Sequence, residues 1–353
     1  QPMDVSQALA PEAPWDTLID ARSPAEFAED HLPGAVNWPV LDDAERATVG
    51  TLHAKVSPLA ARKQGSVMAA RNIAALVEAH VQDRPREWRP LVYCWRGGQR
   101  SGSLALVLAQ IGFRTAQLQG GYKAFRALVR ADLEVLPGRL RYAVLCGRTG
   151  SGKTRLLQAL QAQGAQVLDL EGLAHHRGSV LGGMPGLPQP TQKHFDTRVW
   201  HALRGFDPAR PVFVESESAR IGTLRVPEPL LQAMRGQGRV LRVDTPFDTR
   251  AALLMDDYDV DRLDAEALCE LLATLTDLRG HETVQRWQGL ARRRDWATLV
   301  PALMSEHYDP LYDRSMRRSY PGLDQAPGVV LGGPAAADFD AAAQQLLALA
   351  AAP

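Results

Sequence analysis

The chain is poor in lysine, cysteine and aromatic residues, and it carries no net charge. Only five of its 40 basic residues are lysines, three residues are cysteines, aromatic residues make up 6%, and acidic residues also number 40. A net charge of zero argues against recognition of nucleic acid through bulk charge, so an RNA partner would have to be bound by local patches. Three cysteines without a CxxC pair argue against a disulfide framework or a cysteine-rich zinc site, and they favour a reducing compartment.

Long apolar runs are also missing from the sequence. No stretch approaches the roughly 18 consecutive apolar residues of a membrane-spanning helix, and no signal-peptide pattern is visible. With 45% hydrophobic and 23% charged residues, the composition is that of a soluble globular protein. We therefore expect a cytoplasmic location and no membrane partner.

Two successive series of short apolar strands and helical stretches run along the 353 residues. This alternation is typical of α/β folds with parallel sheets, and the length allows two separate cores. The breaker-rich run Leu136-Pro137-Gly138-Arg139 separates the two series. We predict an N-terminal domain over residues 1–137 and a C-terminal domain over residues 138–353, with a helical insertion at about residues 248–320.

The predicted elements follow from apolar periodicity and from breakers. The strands are expected at residues 17–20, 35–37, 91–93 and 114–117, and then at 141–146, 166–170, 211–215, 239–243 and 329–331. The helices outside the insertion include residues 64–81, 101–110, 122–130 and 335–351.

A cysteine loop follows the predicted strand at residues 91–93. Its sequence is Cys94-Trp95-Arg96-Gly97-Gly98-Gln99-Arg100-Ser101, and a helix is expected to begin near its end. A thiol reacts as thiolate, which requires nearby positive potential, and the loop amides, the helix N-terminus and an arginine can supply it. We predict Cys94 as a nucleophile, within an anion-binding loop formed by Arg96, Gly97, Gly98, Arg100 and Ser101.

Two other interpretations of the cysteine loop remain open from the residues alone. Cys94 could be an inert core cysteine in a strand-to-helix turn. The spacing Cys-x5-Arg also fits a tyrosine phosphatase, although Tyr93 stands where those enzymes usually place a histidine.

A phosphate-binding loop follows the strand at residues 141–146. The run Gly147-Arg148-Thr149-Gly150-Ser151-Gly152-Lys153-Thr154 matches the Walker A pattern between a strand and a helix. The pattern predicts diphosphate binding by Gly147, Thr149, Gly150, Ser151, Gly152, Lys153 and Thr154, with Mg²⁺ at Thr154 as the only metal.

Acidic residues at the ends of two further strands are candidates for Mg²⁺ or substrate positioning. They are Asp169, Glu171, Glu215 and Glu217. Neither strand is an apolar run closed by Asp, the usual arrangement in an ATPase. The loop could therefore hold the diphosphate of another molecule as well as that of a nucleotide. Cys146 and Cys269 read as core residues, and His175, His176 and His194 lack partners at metal-ligand spacing.

The predicted helical insertion is rich in arginine and carries Trp287, Trp296, Tyr308 and Tyr312. Three interpretations stay open: an RNA-binding surface in which aromatic rings stack on bases, a solvated helical face, or a lid over the phosphate loop. For the first, the candidate tRNA contacts are Lys193, Arg286, Arg293 and Arg317.

The N-terminal segment resembles a rhodanese domain over most of residues 15–130. The resemblance rests on Leu18-Ile19-Asp20-Ala21-Arg22-Ser23-Pro24-Ala25-Glu26-Phe27, His31-Leu32-Pro33-Gly34-Ala35-Val36-Asn37, the Cys94 loop and Leu118-Gln119-Gly120-Gly121. It implies that Cys94 carries sulfur or selenium as a persulfide or perselenide. Asp20, Arg22 and His31 are expected to be framework residues that form salt bridges or cap loops.

Nearly the whole chain resembles bacterial tRNA 2-selenouridine synthases. The added residues are Gly120-Gly121-Tyr122-Lys123-Ala124-Phe125-Arg126, Leu168-Asp169-Leu170-Glu171-Gly172-Leu173-Ala174, His176-Arg177-Gly178-Ser179, Gln192-Lys193-His194-Phe195 and Glu215-Ser216-Glu217-Ser218. Ala21 and Leu181-Gly182 depart mildly from the family pattern, which has Val and Phe-Gly there.

The resemblance implies a two-step modification of the wobble uridine of tRNA. The sulfur of 2-thiouridine is alkylated with geranyl diphosphate, and selenium from selenophosphate then displaces the S-geranyl group. It assigns geranyl diphosphate to Lys153 and Thr154, selenophosphate to Cys94, Arg96 and Arg100, and a selenophosphate supplier as a partner. An ATP-dependent tRNA sulfurtransferase and a non-catalytic RNA-binding protein with a rhodanese domain are the alternatives.

Overall fold

Residues 2–177 and 187–351 are described by the computed structural model of this chain, except for the side chain of Asp261. The motif residues Gly178, Ser179, Leu181 and Gly182 lie outside the described residues. The chain divides into two units, Gln1–Asp132 with Thr191–His201, and Leu133–Pro190 with Ala202–Pro353.

The first unit contains a five-stranded parallel sheet in the order β1-β5-β4-β2-β3. The strands are β1 (Pro2–Met3), β2 (Thr17–Asp20), β3 (Val36–Asn37), β4 (Pro90–Tyr93) and β5 (Ala116–Leu118). Its helices are α1 (Val5–Ala8), α2 (Pro24–Glu29), α3 (Asp43–Lys55), α4 (Pro58–His80), α5 (Gln99–Ile111) and α6 (Gly121–Val135).

Local sequence signals set the ends of these helices. Asp42 accepts a hydrogen bond from the Glu45 amide and forms a capping box that begins α3. Ser57 caps α4, whose first residue is Pro58. Gly112, with φ 118°, ends α5 in the left-handed region that favours glycine. The N-terminus of α5 lies beside the end of β4, where the Gly98 amide donates to the Cys94 sulfur.

The second unit contains a parallel sheet in the order β12-β11-β6-β8-β7 and an antiparallel hairpin, β9-β10. The strands are β6 (Arg141–Cys146), β7 (Gln166–Leu168), β8 (Pro211–Glu215), β9 (Arg220–Ile221), β10 (Leu224–Arg225), β11 (Arg239–Asp244) and β12 (Gly328–Val330). The other helices of this half of the chain, outside the insertion, are α7 (Lys153–Ala162), α8 (Leu170–Ala174), α9 (Gln192–Arg204), α10 (Glu228–Gln237) and α17 (Ala336–Ala351). Residues 192–201 of α9 belong to the first unit.

The predicted insertion between β11 and β12 is helical. It comprises α11 (Phe247–Asp257), α12 (Ala265–Ala273), α13 (Thr276–Arg279), α14 (His281–Arg292), α15 (Trp296–Leu303), a π-helical turn at Met304–Tyr308 and α16 (Asp309–Ser319). Short 3-10 turns lie at Pro137–Arg139, Val260–Arg262 and Leu323–Gln325. Leu272, Trp287 and Leu299 are fully buried, so much of this region has an apolar core of its own.

The sheet of the second unit brings three strand ends side by side. Because β6, β8 and β7 are parallel neighbours, the residues that follow them meet at one edge of the sheet. The phosphate loop follows β6, Asp169 follows β7, and Glu215 ends β8. The fold therefore explains why the acidic candidates of the sequence lie close to the phosphate loop.

Several predicted element boundaries are wrong. The strand expected at residues 166–170 ends at Leu168, because Asp169 accepts a hydrogen bond from the Gly172 amide at 2.7 Å and begins α8. The helix expected from residue 64 begins at Pro58, and α3 was not predicted. Strand β1 pairs with β5 at the edge of the sheet, although two residues give no periodic signal.

The division into units also differs from the predicted boundary at residues 137/138. Asp132 is the last residue of the first stretch, and Thr191–His201 packs with the N-terminal unit. The buried ring of Trp200 lies edge-on to Phe125 at 5.3 Å and donates a hydrogen bond to Asp132 at 2.8 Å. The buried contacts of Trp200 thus associate Thr191–His201 with the N-terminal unit, although this segment is distant from it in the sequence.

Membrane-spanning helices are not found among residues 2–177 and 187–351, where none of the helices is both long and apolar enough to cross a bilayer.

Candidate active sites

The sulfur of Cys94 lies at the carboxyl end of β4 and receives two hydrogen bonds from its own loop. The Gly98 amide donates to Sγ at 3.2 Å, and the Ser101 hydroxyl donates at 3.1 Å. The residue is buried, with 3% of its surface exposed. Donors directed at the sulfur stabilise negative charge on it or on a group attached to it. Two donors of the loop are therefore directed at the thiol.

Close backbone packing holds this loop against the start of α6. The amide of Tyr122 donates to the Cys94 carbonyl at 2.8 Å, and Lys123 donates to Trp95 at 2.9 Å. Gly121 has φ 56°, and a Cβ there would overlap the Cys94 carbonyl oxygen. The Gly120-Gly121 pair is thus needed for the approach of α6 to the cysteine loop.

Gln117 is a loop-supporting residue that the sequence reasoning missed. Its amide donates to the Gly97 carbonyl and to the Ser101 hydroxyl, both at 2.8 Å. Gln117 is in β5, the neighbour of β4, so its position beside the loop follows from the sheet order. The sequence signal that could have identified Gln117 is its position as a polar residue near the end of a predicted strand.

The two arginines of the loop have different surroundings. Arg96 is exposed, whereas Arg100 donates to Glu26 at 2.6 and 3.4 Å. The sequence did not indicate the Glu26 partner, which is 74 residues away. The framework role predicted for Asp20 and Arg22 is confirmed by their buried salt bridge at 2.6 Å. His31 stacks on Phe27 with ring centroids 3.9 Å apart.

The phosphate loop joins β6 to α7, in the predicted context. Lys153 donates to the Gly147 carbonyl at 2.8 Å, which holds its ammonium group over the loop. Gly152 has φ 80°, and a Cβ there would lie 2.8 Å from the ring of Phe339 on α17. The buried ring of Phe339 and the positive φ therefore favour glycine alone at this position.

Three carboxylates gather beside the phosphate loop. One oxygen from each of Glu171, Glu215 and Glu217 lies within 4.8 Å of the others. The Thr154 hydroxyl donates to Glu171 at 3.2 Å. Glu215 is 1% exposed, and its Oε1 has no hydrogen-bond partner among the described residues. Asp169, the fourth acidic candidate, caps α8 and also lines the cavity at this loop.

The environment of these carboxylates favours their neutral forms. Burial, followed by the charge of Glu217, raises the pKa of Glu171 to about 8. Burial raises the pKa of Glu215 well above its ordinary value, with neighbouring carboxylates adding to the effect, and burial also raises the pKa of Glu217. Glu171 therefore retains its proton at neutral pH.

A cavity of ≈ 720 Å³ opens on the phosphate loop and the carboxylates. Its far wall comes from the helical insertion and is largely apolar and aromatic: Leu254, Tyr258, Tyr308, Leu311, Tyr312 and Met316. Arg250 of α11 donates to the Thr149 carbonyl at 3.0 Å and to both carboxylate oxygens of Asp309. The insertion thus forms a wall over the phosphate loop, which favours the lid among the three interpretations.

His307 is another cavity residue that the sequence reasoning missed. It lies in the π-helical turn and is 1% exposed. Arg279 donates from Nε to His307 Nδ1 at 3.0 Å. Burial and the charge of Arg279 lower the pKa of His307 to about 4. The imidazole is therefore neutral at physiological pH.

The two tryptophans of the predicted RNA-binding surface are not available to stack on bases. Trp287 is fully buried and Trp296 is 7% exposed, because both rings fill the core of the insertion. Among the candidate tRNA contacts, Arg286 pairs with Glu306, and Lys193 pairs with Glu29 at 2.6 Å. The side chains of Arg293 and Arg317 are exposed. No contact to RNA follows from these positions alone.

Cys146 and Cys269 are buried free cysteines, as predicted. His194 approaches the buried carboxylate of Asp30 at 3.4 Å, and Asp30 also accepts from Tyr122 and Thr197 at 2.8 and 3.0 Å. Among the described residues, the one group placed to hold a metal ion is the glutamate cluster.

The fold and the two sites define a class of protein in which a rhodanese-type cysteine loop is joined to a phosphate-loop α/β unit. Residues 4–128 match the family model described as a rhodanese-like domain. Residues 140–273 match the model described as the tRNA 2-selenouridine synthase AAA domain. These matches decide against the tyrosine-phosphatase interpretation of the Cys94 loop.

Curated relatives extend the match along the chain. A tRNA 2-selenouridine synthase of Alcanivorax borkumensis is 32% identical over 334 residues, covering 85% of this chain and 90% of the relative. One of Hydrogenovibrio crunogenus is 31% identical over 335 residues, covering 87% and 91%. One of Nitrosomonas europaea is 36% identical over 252 residues, 68% of this chain, and that match spans 63% of the relative's length. This chain belongs to the tRNA 2-selenouridine synthase family.

Proposed function

We propose that this protein converts 2-thiouridine at the wobble position of tRNA into 2-selenouridine through an S-geranyl-2-thiouridine intermediate. Its co-substrates are geranyl diphosphate and selenophosphate. The relatives are named for the overall conversion. The observation that carries the geranyl step is the cavity in which a phosphate loop faces an apolar wall.

The phosphate-loop cavity suits an allylic diphosphate. Backbone amides of the loop and Lys153 bind the diphosphate, and the apolar side chains Leu254, Leu311 and Met316 contact the hydrocarbon chain. The sulfur of 2-thiouridine attacks C1 of the geranyl group, the C1–O bond breaks, and its electron pair leaves with the diphosphate. Positive charge at the loop stabilises the charge that develops on the leaving oxygen.

The carboxylate cluster fits Mg²⁺. Hard oxygen ligands are available from Thr154, Glu171, Glu215 and Glu217, and the unpartnered Oε1 of Glu215 is buried beside them. When bound, Mg²⁺ would supply positive charge beside the diphosphate and displace the proton that Glu171 holds.

The Cys94 loop serves the second step. Gly98 and Ser101 direct donors at the sulfur, and exposed Arg96 would bind selenophosphate oxygens. Arg100 would do so only after giving up a bond to Glu26. Cys94 acts as a nucleophile in selenium delivery; it would carry a perselenide only with an added two-electron oxidant, because the selenium of selenophosphate is already at the selenide level.

Selenium delivery replaces one bond at C2 of the base with another. A C2–Se bond forms, the C2–S bond breaks, and geranyl thiolate leaves with the electron pair. Hydrolysis of the P–Se bond by water releases phosphate. Prior alkylation makes the sulfur a leaving group, which is the chemical reason for the intermediate.

Partners and location follow from this chemistry. The substrate is a tRNA with 2-thiouridine at the wobble position, and Lys193, Arg286, Arg293 and Arg317 remain the proposed tRNA contacts. An enzyme that makes selenophosphate is the proposed supplier, and the cytoplasm is the proposed location.

Nucleoside mass spectrometry tests the proposal directly. Thiouridine-containing tRNA is incubated with the protein, geranyl diphosphate and selenophosphate, with each co-substrate omitted in turn. We expect S-geranyl-2-thiouridine with geranyl diphosphate alone and 2-selenouridine with both. An unchanged nucleoside with a folded protein would refute the proposal.

Measurements of nucleotide hydrolysis with added ATP and of tRNA binding separate the two alternatives. Release of AMP or ADP coupled to sulfur transfer would identify an ATP-dependent sulfurtransferase. A non-catalytic RNA-binding protein would bind tRNA equally well after substitution of both Cys94 and Lys153, and it would leave the nucleoside unchanged.

A further inference from the structure

His307 has a fixed tautomer. Arginine donates hydrogen bonds and cannot accept them, so the 3.0 Å bond from Arg279 Nε requires an unprotonated Nδ1 on His307. A second bond, from Arg279 Nη2 to the His307 carbonyl at 3.0 Å, holds the guanidinium in place. A neutral imidazole with a free lone pair on Nδ1 carries its proton on Nε2.

The Nε2–H group of His307 is available to donate a hydrogen bond to a molecule in the cavity. His307 lines the phosphate-loop cavity, and no acceptor for Nε2 is found in the part of the chain that the structure describes. A donor that has no protein acceptor and lies at the cavity is available to a molecule bound there. Arg279 lies on the opposite side of the ring, where its positive charge polarises the imidazole and strengthens Nε2–H as a donor.

The π-helical turn that carries His307 is anchored next to the phosphate loop. Asp309, two residues further along, accepts both hydrogen bonds from Arg250, and Arg250 also donates to the Thr149 carbonyl. π-helical turns within longer helices often occur at functional sites. Here the turn inserts one buried polar side chain into a wall that is otherwise mostly apolar or aromatic.

We infer that His307 is a further substrate-binding residue, whose Nε2–H donates a hydrogen bond to an oxygen of the diphosphate held on the phosphate loop. This inference rests on the proposed function, because it requires a diphosphate at that loop. A hydrocarbon chain has no acceptor, whereas a diphosphate offers several charged oxygens. A neutral donor adds to the charge of Lys153 without placing a second cation in the buried wall.

Binding of inorganic pyrophosphate tests this role without any modification reaction. Calorimetric titration compares the full-length protein with His307→Leu, His307→Gln and the exposed-site control His281→Gln. Leucine removes the donor, and we expect about 3- to 10-fold weaker binding, the effect of one hydrogen bond. Glutamine can accept from Arg279 and donate into the cavity, so its affinity should stay within about twofold of the original.

Histidine-selective ¹⁵N spectra provide a test that needs no destabilising variant. The His307 resonances, assigned by their loss in His307→Gln, should show a protonated Nε2 and an unprotonated Nδ1 at pH 6–8, and pyrophosphate should shift the Nε2–H signal. A protonated Nδ1, an unmoved signal, or unchanged pyrophosphate affinity in folded His307→Leu would overturn the inference. So would a His307→Leu effect confined to the KM for tRNA, which would place the donor on the nucleobase.

Failure of the proposed function gives a different result. If the protein binds pyrophosphate through His307 but forms no S-geranyl nucleoside, the geranyl assignment fails and the role of His307 stands. If the unmodified protein does not bind pyrophosphate, both are overturned.

Discussion

Arg250 and Asp309 form a buried, two-pronged ion pair that ties the helical insertion to the phosphate loop. The two bonds measure 2.8 and 2.7 Å, the side chains are 4% and 14% exposed, and Arg250 also donates to the Thr149 carbonyl at 3.0 Å. The residues are 59 positions apart in the sequence. This pair joins the helical insertion, which forms one wall of the cavity, to the phosphate loop.

Removing one partner of this pair should destabilise the second unit. Asp309→Ala leaves the Arg250 guanidinium buried without its carboxylate, and we expect the free energy of unfolding to fall by about 3–5 kcal/mol. The matched control is Glu266→Ala, which breaks an exposed pair with Arg292 and should cost less than about 1 kcal/mol. Urea denaturation followed by circular dichroism measures both, and equal losses would contradict the role assigned to Arg250–Asp309.

Substitution of Cys94 should separate the two chemical steps. In Cys94→Ser, the cavity at the phosphate loop is unchanged, so S-geranyl-2-thiouridine should still form. Selenation should be lost, because serine does not supply the thiolate nucleophile. Nucleoside mass spectrometry measures both products. Cys269→Ala, at a buried cysteine of the insertion core, is the control, and full selenation by Cys94→Ser would remove Cys94 from the mechanism.

Removing the charge of Lys153 should weaken diphosphate binding, on which geranyl transfer depends. Lys153→Ala removes a charged hydrogen-bond donor from the phosphate loop, and we expect about 10- to 100-fold weaker pyrophosphate binding. Lys63→Ala removes the same charge from an exposed position on α4 and should bind as the original protein does. Calorimetric titration with pyrophosphate measures both affinities. Equal affinity in the two variants would exclude Lys153 as a diphosphate ligand.

The stability of the metal-free protein should fall as pH rises. Glu171 has an ordinary pKa of 4.5 and a pKa of about 8 in the folded protein. Between these values the folded state holds a proton that the unfolded chain has released, so its contribution to stability is lost progressively up to about pH 8.

Glu171→Gln should reduce this dependence, because the amide does not titrate. Thermal unfolding from pH 5 to pH 9 measures it, with Glu282→Gln at an exposed position as the control. A pH profile unchanged by Glu171→Gln would contradict the retained proton.

A methyl group at Gly121 should disrupt the cysteine loop. It would overlap the Cys94 carbonyl and lie 2.6 Å from the Gly97 nitrogen, at a residue with φ 56°. We expect Gly121→Ala to lower the melting temperature clearly. Gly102→Ala, in α5, meets only Gln117 at 3.7 Å and should be neutral or stabilising. Similar melting temperatures for the two variants would show that the loop tolerates the added group.

Contiguous sequence was sufficient to predict much of both sites. Cys94 follows a buried strand, and Lys153 lies where the phosphate loop passes into a helix; these arrangements depend on neighbouring residues and on backbone conformations that glycine permits. Short-range hydrogen bonding and apolar periodicity are properties of the local chain, so the sequence alone determined these features.

The tertiary fold decided the pairings between distant residues. Arg279 meets His307 across 28 positions, Arg100 meets Glu26 across 74, and Thr191–His201 packs with the N-terminal unit. The tertiary fold also buries Trp287 in the core of the helical insertion, whereas the sequence was compatible with an exposed ring that stacks on bases. Such contacts arise from packing many apolar side chains at once, and no local pattern states which of many charged or aromatic residues will meet.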